Sequence, residues 1–296
     1  MKPPPFAYRS AGSVEEAVGL LRETGPGAAV LAGGQSLLLD LRYGRVAPRL
    51  LVDVNRIDEL RGLTDDGSAL RVGALVRHAE LEKRQAADPL SRLLRRVAPY
   101  IGHPPIRALG TFAGSLAWAH PAAEWCALAR AFDAEVVLAG PDSERSVPAA
   151  QWFVGDRRTA LRPDELIREV RLPRPADDAG VGFAEHRRSS ASFALAAAVV
   201  AVELRHGRIA GARIGLANAA DVPVRAVEAE AVLVGATPTP ALLGEAAAAA
   251  AAAGDPQPEP HCSVAYRRHS LGVLVRRALT EALAEAGSAQ TGAEAA

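Results

Sequence analysis

Cysteine is nearly absent from this chain of 296 residues: Cys126 and Cys262 are the only two. Two thiols cannot supply the four ligands of an ordinary iron–sulfur cluster. They also form no CxxC pair and no zinc-ligand spacing, so they read as reduced, partly buried thiols. Net charge is lacking as well. The 34 basic residues balance 34 acidic ones, and nothing favours a nucleic acid or an anionic membrane as the main partner. No apolar run has the length of a bilayer span; the longest, Phe193 to Val202, is too short. Met1 to Pro5 lacks the apolar stretch of a signal peptide, which makes a cytoplasmic protein the expectation. No internal repeat occurs. No Gly-Lys-Ser/Thr occurs either, which excludes a P-loop. Gly25-Pro26-Gly27 precedes a strand instead of following one, and Val30 stands where a third glycine is needed, so an ordinary Rossmann fingerprint is disfavoured.

What the chain does have is an ordinary globular balance, 49% hydrophobic and 23% charged, at a length that suits two domains. Ser13 precedes an amphipathic helix with Glu15 and Glu16 in its first turn, and Gly25-Pro26-Gly27 ends it. Ala28 to Leu31, Leu50 to Val54, Leu70 to Ala74, Ala134 to Leu138 and Leu166 to Leu172 read as strands. Leu37 to Tyr43, Pro89 to Val97 and Glu124 to Phe132 read as helices, while Ile101 to Glu124 shows little periodicity. Pro173 to Gly180 reads as the linker. Beyond it, Phe193 to Leu204 and Arg208 to Ala217 form a hairpin at His206-Gly207. Helices follow over Val224 to Val234, Pro240 to Ala253 and Ser263 to Glu285, and the end from Gly287 reads as disordered.

Two glycine segments stand out: Ala32-Gly33-Gly34-Gln35-Ser36 and Gly110-Thr111-Phe112-Ala113-Gly114-Ser115. Glycine lets backbone approach a ligand closely, and successive free N–H groups make an anion-binding concavity. Two such loops point to a diphosphate gripped from two sides. The first loop alone equally fits a plain tight turn, but Gln35 and Ser36 can donate to phosphate oxygens, and a helix starting at Leu37 aims its N-terminal amides the same way. His103 lies beside prolines with no partner for a relay, so it reads as placing a loop. Arg107 fits either a diphosphate contact or a salt bridge. His103, His120 and Glu124 match no helix-face metal pair.

Taken together, Ala32 to Leu37, Ile101-Gly102-His103-Pro104 through Gly114-Ser115-Leu116, and Pro121-Ala122-Ala123-Glu124 resemble the FAD-binding medium subunits of molybdenum hydroxylases. That family includes the carbon monoxide dehydrogenase medium subunit and the xanthine dehydrogenase flavin domain. His261-Cys262-Ser263, Ala265 to His269 and Val275 to Leu279 resemble its C-terminal domain, so the likeness runs from about Phe6 to Leu283. The resemblance implies an α+β fold. A two-subdomain FAD-binding domain of PCMH type would span 1–175, with a break near 55–60. A C-terminal domain of antiparallel sheet plus helix bundle would span 176–286, leaving a tail at 287–296.

It also implies site residues. Val30, Leu31, Ala32, Gly33, Gly34, Gln35, Ser36 and Leu37, with Thr111, Phe112, Ala113, Gly114 and Ser115, would hold the diphosphate of a non-covalent FAD and adjoining groups. Ile101 would lie against the flavin or its ribityl chain, Glu124 would contact the cofactor, and Ile167 would pack near the adenine. Phe193 would cover the isoalloxazine ring or else pack in the core, and His186 would lie nearby. No catalytic residue and no metal ligand is implied on this chain. A large subunit with molybdenum cofactor and a small subunit with two [2Fe–2S] clusters are the implied partners, in a dimer of heterotrimers. The departures are Ala113 for a family glycine, and Trp118 and His120 for a histidine and an aspartate. A stand-alone flavin oxidoreductase, or a cofactor-free structural or assembly subunit with a decayed site, would be the alternatives.

Overall fold

The computed structural model describes residues 4–190 and 192–294, with side chains as far as residue 289. The chain opens with strand β1 (Ala7–Ser10), helix α1 (Val14–Thr24), β2 (Ala28–Leu31), α2 (Leu37–Arg42) and β3 (Leu50–Asp53). Helix α1 starts where the sequence demands. The Ser13 hydroxyl caps it by accepting from Glu16 N–H at 3.2 Å, and the Glu16 carboxylate accepts from Gly12 N–H at 2.7 Å, just before the cap. Gly25 ends it at φ 62°. Its Val14, Ala17, Val18 and Leu21 are buried. The three strands form a parallel sheet in the order β1-β3-β2.

A second sheet follows in the same half. Strands β4 (Leu63–Asp65) and β5 (Ala69–Gly73) lead to helices α3 (His78–Glu82), α4 (Pro89–Val97), α5 (Pro104–Leu109), α6 (Phe112–Trp118) and α7 (Glu124–Ala131). Then come β6 (Glu135–Ala139), β7 (Glu144–Pro148), α8 (Ala149–Trp152), β8 (Phe153–Gly155), β9 (Arg158–Thr159) and β10 (Leu166–Pro173). Five of these strands pair antiparallel in the order β4-β5-β10-β6-β7, and the change of sheet falls between Asp53 and Leu63. The aperiodic stretch 101–124 contains two short helices, α5 and α6. Each has two turns or fewer, too short to print a periodicity on the sequence.

The last third is β11 (Gly180–Arg187), β12 (Ala194–Arg205), β13 (Arg208–Ala217), β14 (Val224–Arg225), α9 (Val227–Leu233), α10 (Pro240–Ala252) and α11 (Val264–Glu294). The four strands make an antiparallel sheet, and β12 turns into β13 through His206 and Gly207, at φ 51° and 72°. Two successive positive φ values are what a two-residue primed hairpin requires. Both faces of this sheet are covered. Ala197, Val199 and Ala201 face the core of the first half, and Ala196, Ala198, Val200 and Val202 face α9–α11. Burial on both sides is why this strand reads as one unbroken apolar run. A Cβ at Gly180 or Gly182 would collide with the carbonyl oxygens of Ala282 and Ala278, so glycine lets α11 lie directly on β11.

Three expectations need correction. Val224 and Arg225 pair as a strand before α9 begins, because they extend the sheet edge beside Gly215 and Leu216. Part of the expected linker, from Gly180, belongs to β11. Helix α11 continues past Gly287 to Glu294, where the sequence predicted a disordered tail. The segment is rich in alanine and contains no proline, and the Ser288 hydroxyl donates to Ala284 O at 2.9 Å. The rest of that tail, 295–296, and residues 1–3 of the start lie outside the described residues. Cys126 and Cys262 are buried free thiols. No helix among the described residues is long and apolar enough to cross a membrane.

Candidate functional site

The two glycine loops lie against each other although about eighty residues separate them. The first leaves β2 and enters α2; the second carries Thr111, the N-cap of α6. A Cβ at Gly33 would collide with Leu109 O and stand 2.7 Å from Gly110 Cα. Glycine is therefore needed at position 33 for contact between loops. Gly34 needs its freedom for a different reason, a φ of 70°.

The loops are fastened by polar side chains that nothing in their local sequence marks. Asn55 Nδ2 donates to Ala32 O at 2.9 Å and to Asp53 Oδ1 at 2.7 Å. Arg77 donates to Asn55 Oδ1 at 2.6 Å and to Leu109 O. One guanidinium thus ties a residue holding the first loop to the entry of the second. The main chain of residues 76–78 completes the tie: His78 N–H donates to Gly110 O and Phe112 N–H to Val76 O.

Between the loops lies a cavity of about 310 Å³. Of the predicted site residues, Val30, Ala32, Gly33, Gly34, Gln35, Ser36, Leu37, Thr111, Ala113, Gly114, Ser115 and Ile167 line it. Among the described residues, the N–H groups of Gly33, Gly34, Gln35 and Ser36 donate to no acceptor in the chain. The second loop differs. Thr111 Oγ1 accepts from Gly114 N–H at 2.9 Å, and Thr111 O accepts from Ser115 N–H at 3.1 Å. Its amides are mostly spent on capping α6, so it offers the Ser115 side chain more than an open nest. Gln35 is also partly spent, since its Nε2 donates to Gly33 O at 2.9 Å. Ala113 sits in α6 with ordinary negative φ, so its extra methyl group causes no backbone strain.

Six predicted residues are not brought to this cavity: Leu31, Ile101, Phe112, Glu124, His186 and Phe193. Phe112 turns its ring into the core beside Trp125, at 5.3 Å between centroids. Ile101 packs partly buried against the same core. Glu124 is buried at the start of α7, and His186 Nε2 meets the Tyr266 hydroxyl at 2.9 Å on the C-terminal sheet. Phe193 is no core residue, being 52% exposed. It stacks on His120, at 4.4 Å and 13° between planes, and His120 stacks on Trp118 at 5.0 Å. Trp118 lines the cavity, and its Nε1 donates to Asp40 at 3.0 Å. Two of the three departures from the family pattern, Trp118 and His120, thus join Phe193 in an aromatic stack leading out from the cavity wall. Arg107 is held by Glu82 at 2.8 Å and by Gly102 O at 3.0 Å, which settles it as a structural ion pair.

His78 is a further lining residue that the sequence did not suggest. Its Nδ1 accepts from Trp125 Nε1 at 3.0 Å, and burial pushes its pKa down to about 3, so the ring is neutral. Burial likewise pushes His120 down to about 4. Glu165 also lines the cavity. Burial raises its carboxyl, but Arg145, at 2.6 Å, and Arg162 N–H outweigh that and hold it below the usual range.

Free loop amides, a helix N-terminus, serine side chains and flanking apolar surface define a dinucleotide-type cleft in a two-domain α+β protein. The FAD binding domain in molybdopterin dehydrogenase matches residues 4–175, and the CO dehydrogenase flavoprotein C-terminal domain matches residues 182–282. The chain belongs to this family, the FAD-binding medium subunits of molybdenum hydroxylases. It is 36% identical to the 6-hydroxypseudooxynicotine dehydrogenase complex subunit alpha of Paenarthrobacter nicotinovorans, over 96% of each chain. It is 34% identical to the carbon monoxide dehydrogenase medium chain of Hydrogenophaga pseudoflava, over 96% of this chain and 99% of the relative. The solved carbon monoxide dehydrogenase of that organism superposes with a TM-score of 0.93, at 35% identity, covering 96% of this chain and 99% of the other. Quinoline 2-oxidoreductase from Pseudomonas putida 86 gives 0.91 at 30% identity, covering 98% and 99%.

Proposed function

We propose that this chain is the electron-transfer flavoprotein subunit of a cytoplasmic, three-subunit molybdenum hydroxylase. A large partner would carry the molybdenum cofactor and hydroxylate the substrate, and a small partner would carry two [2Fe–2S] clusters, in a dimer of heterotrimers. Bound FAD would supply the redox chemistry, matching one-electron clusters to a final acceptor. The observation that carries this reading is the single cavity lined by both glycine loops.

The chain's own residues bind and orient. The N–H groups of Gly33, Gly34, Gln35 and Ser36, with the N-terminus of α2, hold the diphosphate. The Ser36 and Ser115 hydroxyls add donors. Val30 and Ile167 offer apolar surface to the adenine. Phe193, exposed at the end of the aromatic stack, would cover the isoalloxazine ring, and Ile101 would lie against the flavin or its ribityl chain. The relatives act on compounds as different as carbon monoxide and 6-hydroxypseudooxynicotine. Choice of substrate therefore belongs to the large partner.

Co-expression with both partners tests this reading. It predicts a copurifying complex with flavin and iron–sulfur absorbance, whose flavin is bleached by the substrate of the large subunit. A well-folded chain that copurifies with neither partner would contradict it.

A further inference from the structure

Nε2 of His78 is a polar atom in the wall of the cleft that has no partner among the described residues. His78 opens α3, is 4% exposed, and lines the cavity between the loops. Its backbone and its ring are both fixed. Its N–H donates to Gly110 O at 3.0 Å, and Nδ1 accepts from Nε1 of Trp125, itself fully buried, at 3.0 Å.

That second contact decides where the proton sits. An indole N–H can only donate, so Nδ1 is bare and the neutral ring carries its proton on Nε2. Nε2 is not sealed inside protein, so it opens on the cavity. Gly110 leaves it uncovered: a Cβ there would stand 2.8 Å from Nε2 and 3.0 Å from Ile106 O. A donor on a nearly buried side chain is rarely left without an acceptor, so this one points to a ligand. The surrounding charges agree. Burial, then Arg107 and Arg77, hold the pKa down at about 3, so the ring stays a neutral donor. The two guanidiniums are themselves engaged, Arg77 with Asn55 and Leu109, Arg107 with Glu82.

We propose that His78 is a cofactor-binding residue whose Nε2–H donates to an oxygen of the FAD diphosphate. The proposal rests on the cleft being the FAD site. Gly110 meets both Gly33 and the His78 ring, which puts Nε2 at the same end of the cavity as the free first-loop amides. The ring also supplies what the second loop lacks. Thr111 takes the amides of Gly114 and Ser115, so that side of the cleft has few donors left. A ring already locked by Trp125 adds one with little reorganisation. A hydrogen bond to a charged oxygen is also stronger than one between neutral groups.

The test compares two amide variants by titrating FAD into the full-length apoprotein. Asparagine sets its oxygen where Nδ1 was, but its amide falls short of Nε2. Glutamine reaches the Nε2 position with an amide. His78→Asn thus keeps an acceptor for Trp125, loses the donor, and should bind FAD at least about tenfold more weakly. His78→Gln keeps the donor and should stay within about threefold of the native protein. Were His78 there only to accept from Trp125, the order would reverse. In the native apoprotein, isotope-labelled histidine should show His78 as the Nε2–H tautomer, and FAD should shift that signal. Should a variant fail to fold, the shift decides. Native affinity in His78→Asn, a reversed order, or an Nε2 signal that bound FAD leaves unmoved would overturn the proposal and leave the FAD site standing. A native chain that binds no FAD would overturn the site and the proposal together.

Discussion

Gly33 touches Leu109 so closely that a single methyl group at position 33 would overlap the Leu109 carbonyl oxygen. The cleft is therefore a joint between two segments of chain, and it closes only because one side has no side chain. Gly33→Ala should push the loops apart. We expect a loss of about 1–3 kcal/mol in stability, as for other overpacked sites, and at least a tenfold weaker FAD affinity, measured by titrating FAD into the apoprotein.

Arg77 and Asn55 hold that joint from outside the cleft. Arg77→Ala leaves the Leu109 carbonyl and the Asn55 amide oxygen without their shared donor. The expected cost is about 1–3 kcal/mol, with weaker FAD binding but an unchanged spectrum of the flavin that remains bound. Denaturant unfolding and FAD titration on the same variant check both parts.

His78 gives the protein an acid limb. Its folded pKa of about 3 lies below the ordinary 6.5. Below about pH 6.5 the unfolded chain therefore takes up a proton that the native state refuses, and stability falls as pH falls. The loss is up to about 1.4 kcal/mol per pH unit. His78→Gln should flatten this limb, seen as a smaller drop in Tm between about pH 6.5 and about pH 4.5.

Phe193 should matter to the flavin and hardly at all to the fold. Half its surface is already exposed, and its contacts are His120 and Trp118. Phe193→Ala should change stability by no more than about 1 kcal/mol. If the ring covers the isoalloxazine, its loss should raise the fluorescence of bound flavin and change the rate of reoxidation by external acceptors.

Much of this molecule was legible because its signals are local. Ser13 with Glu16 announces α1, His206-Gly207 announces a primed turn, and the first glycine loop follows an apolar strand. Other features carry no local mark. Asn55, Arg77 and His78 act through partners far off in sequence: Leu109 is 32 residues from Arg77, and Trp125 is 47 from His78. Strand β11 was hidden because Gly180 and Gly182, which resemble linker residues, are small to admit α11. The second loop resembled an open anion nest, but Thr111 consumes its amides as a helix cap. A composition rich in glycine and hydroxyl groups suits either role, and only the backbone angles decide between them.

The most direct test is a crystal structure of the chain with FAD. The diphosphate is predicted to lie between Gly33–Ser36 and Ser115, with its oxygens within hydrogen-bonding distance of the free first-loop amides. A diphosphate bound away from either loop, or a Gly33→Ala variant that binds FAD as tightly as the native protein, would contradict the account.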